Sequence, residues 1–163
     1  MKIIYIFLLM SFSCVNIYAQ DAIAVAQEFG RNVRLYALTD SLIYLDNIEK
    51  MCNGRKSFRI ADDLMLLLAA RNNYPLKKSY TLDSYLNLII KTAINDSLDI
   101  EFSDFKKIDR VDNGSIPLDS NIEYVSCVIT VKGIITLSTT DLIYIRNGKV
   151  SLVSKYNENT KLK

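Results

Sequence analysis

The chain has 163 residues, half of them hydrophobic, with a net charge of +2 and no histidine. A charge this close to balance offers no bulk electrostatic handle for nucleic acid or an anionic membrane surface. The missing histidine removes the commonest general base and metal ligand, and with them every Ser-His or Cys-His nucleophile pair; nothing in the sequence implies a metal or a cofactor.

Residues 1–19 read as a secretory leader. Lys2 precedes the apolar run Ile3 to Met10, polar residues follow from Ser11 to Ser13, and Ala19 stands before the polar Gln20. A positive start, a short apolar core and a small residue at the end form the pattern of a signal peptide. The run is too short for a permanent transmembrane helix. Cleavage after Ala19 is expected to leave a single domain over residues 20–156 and a polar tail over 157–163, in the periplasm or outside the cell. Lipid attachment at Cys14 is the alternative, and Phe12 suits it poorly because small residues normally stand before a lipidated cysteine.

The elements follow in chain order. Ala22, Val25, Ala26, Phe29, Val33, Tyr36 and Ala37 recur at three- and four-residue steps, so residues 22–37 are predicted to form an amphipathic helix with Asp21 as its N-cap. Gly30 weakens that helix and marks a close approach by another element. Residues 41–52 suit a helix or a strand, before Asn53-Gly54 turns the chain and residues 55–60 run extended. Asp62-Asp63 opens a second helix to Arg71, whose Leu64 to Leu68 run predicts burial on more than one side. Thr81 caps a third helix to Asn95. From Leu98 the period becomes two. Strands are expected over 98–111 (with Ile100, Phe102, Phe105 and Ile108 inward), 121–132, 134–146 and 149–156. Asn147-Gly148 between the last two is a strong two-residue hairpin signal.

Helices followed by an antiparallel meander mean an α+β fold. In the stretches Val125-Ser126-Cys127 and Asp141 to Val150, and in its element order, the chain resembles the nuclear transport factor 2-like superfamily, which includes ketosteroid isomerase and the SnoaL-like polyketide cyclases. The resemblance implies a cone-shaped, cystatin-like fold with the N-terminal helices packed in the concave face of a curved antiparallel sheet. It implies no single activity, because the superfamily contains both enzymes and plain binding or dimerisation modules.

Candidate residues are few. Asp141 is a charge inside an apolar strand; it is either a raised-pKa acid or base within the cone, or a residue turned to the rim by a bulge at Thr139-Thr140. Tyr36, Tyr85, Tyr124 and Tyr144 lie on elements expected to meet around the core, as ligand-binding groups or as ordinary core-edge tyrosines. In an oxidising compartment Cys52 and Cys127 can form a disulfide worth about 4 kcal/mol, or stay as two buried thiols. The favoured function is an exported, non-catalytic module that binds a small apolar ligand or a protein partner. One alternative is a histidine-free isomerase or cyclase-like enzyme using Asp141 and a tyrosine; another is a structural subunit of an envelope complex. The outer sheet face, with Ile134, Thr136 and Leu142, and the leucine-rich helix are the two surfaces open to a homodimer, although a buried core element is the more economical account of the leucine run.

Overall fold

The computed structural model describes residues 21–55, 59–61, 63–108, 121–133 and 136–156. The expected leader, its cleavage site, Cys14, Ile134 and the tail lie outside the described residues.

Helix α1 (Ala22–Thr39) begins where Asp21 caps it, its carboxylate accepting from the Ile23 amide. It ends at Asp40, whose left-handed backbone returns its amide to the Tyr36 carbonyl. The whole predicted stripe from Ala22 to Ala37 is buried. Gly30 lies where the helix crosses the sheet: a Cβ there would stand 2.7 Å from Cβ and Cγ of Phe102. The close approach thus depends on a residue without a side chain.

Residues 42–51 resolve as a helix, α2 (Leu42–Met51), joined to α1 by an amide pair in which Asn47 Nδ2 donates to Oδ1 of the buried Asn32 at 3.2 Å. A short strand β1 (Arg59–Ala61) leads into α3 (Asp63–Arg71). Leu64, Met65, Leu68 and Ala69 of α3 are buried, but Leu66 and Leu67 are 42% and 50% exposed. The helix is therefore buried along one stripe only, and the expectation of burial on several sides is corrected: nothing among the described residues covers its outer side. Asn72 fastens its end, donating to the Leu68 carbonyl and to Thr92 Oγ1 on helix α4 (Leu82–Asp96). Thr81 caps α4 as predicted, accepting from the Ser84 amide.

Four long strands follow: β2 (Asp99–Ile108), β3 (Ile122–Lys132), β4 (Leu137–Arg146) and β5 (Lys149–Lys155). The sheet order is β1-β5-β4-β3-β2. The four long strands are antiparallel neighbours, while β1 runs parallel to β5. The sheet is thus mixed and open, not purely antiparallel; a three-residue strand carries too little pattern to fix its direction in advance. Asn147 and Gly148 both take positive φ, as the hairpin signal requires.

Strand parity divides the sheet into two faces. Ile100, Val125, Cys127, Ile129, Ile143 and Val153 pack under the helices in the main core. Tyr124, Leu142 and Tyr144 form a second cluster with Ile108, Ile122, Leu152 and Tyr156. Ile108 is on that outer side, contrary to expectation. In β2 the register passes from Ser103↔Val128 to Lys106↔Ser126, so Asp104 and Phe105 together oppose Cys127. Asp104 takes a left-handed backbone (φ 53°) to make this bulge. The extra residue reverses the parity: Phe105 still packs against the main core, but Ile108 pairs with Tyr124 on the outer face. The helices-then-sheet arrangement is the α+β class expected from the sequence, and Arg34 on α1 holds Asp99 of β2 with a two-point ion pair at 2.7 and 2.8 Å.

Candidate functional site

Asp141 occupies the middle of β4, opposite Cys127 of β3 and Lys155 of β5. The β3–β4 register runs unbroken from Ile122↔Arg146 to Val131↔Leu137. There is accordingly no bulge at Thr139-Thr140 to turn Asp141 to the rim; it shares the helix-covered face with Ile143 and is fully buried. Its Oδ2 accepts from Thr139 Oγ1 at 2.6 Å, while its Oδ1 is buried with no hydrogen-bond partner among the described residues. Loss of hydration disfavours the charged form. Burial raises its pKa from 3.8 to about 6; the Thr139 hydrogen bond and the Lys155 charge oppose that rise, and the Asp63 charge adds to it.

The cation beside it is committed elsewhere. Lys155, the cross-strand partner of Asp141, reaches over to helix α3 and pairs with Asp63 Oδ2 at 2.5 Å. Asp63 in turn lines an open groove of about 380 Å³ with Ala61, Leu66, Leu76, Lys77, Lys78 and Tyr80. Residues 76–80 form one wall of this groove. They are held by a two-way backbone exchange between Ile60 and Tyr80, and by the Tyr80 hydroxyl, which accepts from the Lys77 amide and donates to the Pro75 carbonyl. The opposite wall is α3. Leu66 and Leu76 present apolar surface to it, Leu76 being 65% exposed, and two exposed lysines stand at its edge. The sequence hid this site because its parts come from two separate stretches, residues 61–66 and 76–80, and only the excess of leucine over the needs of one helical stripe hinted at it.

The four tyrosines do not meet. Tyr36 on α1 and Tyr85 on α4 are buried in the main core, whereas Tyr124 and Tyr144 lie on the other side of the sheet, ring to ring at 5.1 Å. The cause is parity: Tyr124 and Tyr144 are cross-strand partners one residue out of step with the inward Val125 and Ile143. Burial raises the Tyr36 pKa, with smaller contributions from Asp40 and Glu49.

Cys52 and Cys127 are both buried as reduced thiols. Cys52 lies beside β5, in a backbone bridge to its Val150, and Cys127 lies on β3, two strands beyond β5 across the sheet. Three strand spacings, roughly 14 Å, exceed the ~7 Å reach of a disulfide between Cα atoms, so the possible bridge is excluded in this fold. Burial, with Glu49 nearby, pushes the Cys52 thiol up to about 12, which makes it an unreactive hydrophobe at neutral pH. Leu142, expected on a dimer surface, is 1% exposed beneath the outer tyrosines, while Thr136 is exposed. Among the described residues there is no cluster of side chains that could hold a metal ion, and no helix is long and apolar enough to cross a membrane.

No protein-family model and no curated protein sequence matches the chain. Among the solved structures similar to it are the following two. One is an NTF2-like protein of unknown function from Exiguobacterium sp. 255-15, with 8% identity, a TM-score of 0.46, and coverage of 80% of this chain and 95% of that one. The other is a phenazine biosynthesis-related protein from Pseudomonas aeruginosa, with 12% identity, a TM-score of 0.40, and coverage of 94% and 90%. At these identities and scores neither contributes to the functional argument, which rests on this chain's own residues.

Proposed function

We propose that this chain is an exported, non-catalytic binding module whose ligand is a small amphipathic molecule with an apolar body and an anionic head. The observation that carries the reading is the groove between α3 and residues 76–80. Leu66 and Leu76 offer the apolar contact, and Lys77 and Lys78 offer charge to the head. Its volume of about 380 Å³ suits one small molecule. The export part of the reading rests on the leader pattern of residues 1–19.

The enzymatic alternative draws support from the raised pKa of Asp141. Geometry favours binding instead. Asp141 is sealed under the helices, its one hydrogen bond among the described residues comes from a threonine, and the tyrosines of its own and the adjoining strand face the other way. General acid–base work needs the group within reach of a substrate proton.

The test is a titration of the mature chain with 8-anilinonaphthalene-1-sulfonate, an apolar ring system bearing one anionic group, followed by fluorescence. Saturable binding that weakens about tenfold in Leu76→Ser, and by a few-fold in the Lys77→Gln/Lys78→Gln double variant, is the expected result. Binding that both variants leave unchanged would place the ligand elsewhere and end the proposal.

A further inference from the structure

The three charged groups beside the groove form a chain of competition. Asp63 stands in the groove wall, Lys155 is paired to Asp63, and Asp141 is the cross-strand neighbour of Lys155. Among the described residues, the groups facing Asp141 are Cys127 from β3, Thr139 from its own strand, Lys155 from β5 and Asp63 from α3. Of these only Lys155 is a cation. The Oδ1 of Asp141 has no partner among the described residues, and of the groups that face it Lys155 is the one able to supply a counter-charge when the carboxyl ionises.

The geometry points to a pH-operated latch in which ionisation of Asp141 draws the Lys155 ammonium away from Asp63, and so regulates the groove for anionic ligands. This inference rests on the groove being the binding site. With Asp141 protonated, the carboxyl carries no charge, Lys155 stays on Asp63, and the groove wall is neutralised there. With Asp141 ionised, a buried anion lacks a counter-charge, which costs far more than an exposed one. Lys155 then moves to it from β5, a short step because cross-strand neighbours have Cβ atoms ~5 Å apart. Asp63 is left as an unpaired carboxylate facing the ligand's anionic head. The raised titration range of Asp141 brings the transition into the mildly acidic region. The proton leaves to solvent, no bond other than O–H breaks, and the change is reversible.

The experiment has two arms on the mature chain. In the first, the side-chain carbon shift of Asp63 and the ammonium resonance of Lys155 are followed by NMR from pH 4.5 to 8 without ligand. Both are expected to show an inflection that coincides with the Asp141 carboxyl. Asp141→Asn should abolish it, and Lys155→Gln, a change at an exposed side chain, should move the Asp141 inflection upward and erase it from Asp63. In the second arm, affinity for 8-anilinonaphthalene-1-sulfonate is expected to fall about fivefold from pH 5 to pH 7.5, and not to fall in Asp141→Asn. Flat Asp63 and Lys155 resonances overturn the latch whatever the dye does. An inflection accompanied by pH-independent dye affinity overturns the regulation. If the dye binds at no pH, the groove reading itself is lost, and the first arm alone decides whether the latch exists.

Discussion

Substituting Asp141 by Asn gives the most quantitative check on how this core is built. The folded pKa is raised from 3.8 to about 6, so the folded state holds its proton over a range where the unfolded chain has lost it. Stability from this group is therefore fully present below the unfolded pKa and is lost as pH rises through the folded one. A difference of about two pKa units corresponds to about 3 kcal/mol between pH 4 and pH 7.5. The asparagine side chain cannot ionise and is spared that loss. Its amide, however, brings two donors into a site where only Thr139 is at hand, and an unsatisfied buried donor costs ~1–3 kcal/mol. The net expectation is a variant more stable than the parent by about 0–2 kcal/mol at pH 7.5, and less stable than the parent at pH 4.5, so that its advantage grows with pH. Urea unfolding of both proteins at the two pH values, followed by far-UV circular dichroism, reads the difference directly. Titrations common to both chains cancel in the comparison. Parallel stability–pH curves for the two proteins would refute the placement of a strained buried carboxyl at this position.

Three further outcomes follow from packing. Gly30→Ala is favoured by helix propensity by ~1 kcal/mol, yet its Cβ would meet Phe102 at 2.7 Å; the expected net loss is about 1–2 kcal/mol, and a raised urea midpoint would show that α1 does not cross β2 this closely. Gly148→Ala has open space around it but a φ of +70°, so it should lose ~1 kcal/mol from backbone strain alone; an unchanged melting temperature would count against the two-residue hairpin. The Cys52 and Cys127 thiols should resist dithionitrobenzoate in the native state and react fully in guanidinium; fast native labelling, or no reaction after unfolding, would mean exposure or a disulfide.

The sequence was most legible where one period dominates. The α1 stripe from Ala22 to Ala37, the caps at Asp21 and Thr81, and the Asn147-Gly148 hairpin are local signals whose physics does not depend on the rest of the chain. Residues 41–52 stayed ambiguous because α2 buries only Ile48 fully, and a helix with a narrow apolar contact leaves little periodicity. The direction of β1 and the reversal at Asp104 were illegible for another reason: both are settled by pairing with strands distant in sequence. The same holds for the tyrosines. Tyr124 and Tyr144 are spaced as if they belonged to the core, and only the β3–β4 register assigns them to the outer face. Asp141 stood out in the sequence as a charge among apolar neighbours, but the orphan Oδ1 and the tie from Lys155 to Asp63 are tertiary facts. The groove joins residues 61–66 with residues 76–80, and no single segment contains enough of it to be seen.

The most direct test of the account is a map of backbone amide shifts as 8-anilinonaphthalene-1-sulfonate is added to the uniformly labelled mature chain. Saturable shifts centred on Ala61, Asp63, Leu66, Leu76, Lys77, Lys78 and Tyr80 are expected, with the core-facing strand residues Val125, Cys127 and Ile143 unmoved. Shifts centred instead on those strand residues would place the ligand between sheet and helices beside Asp141, and would contradict the groove as the binding site.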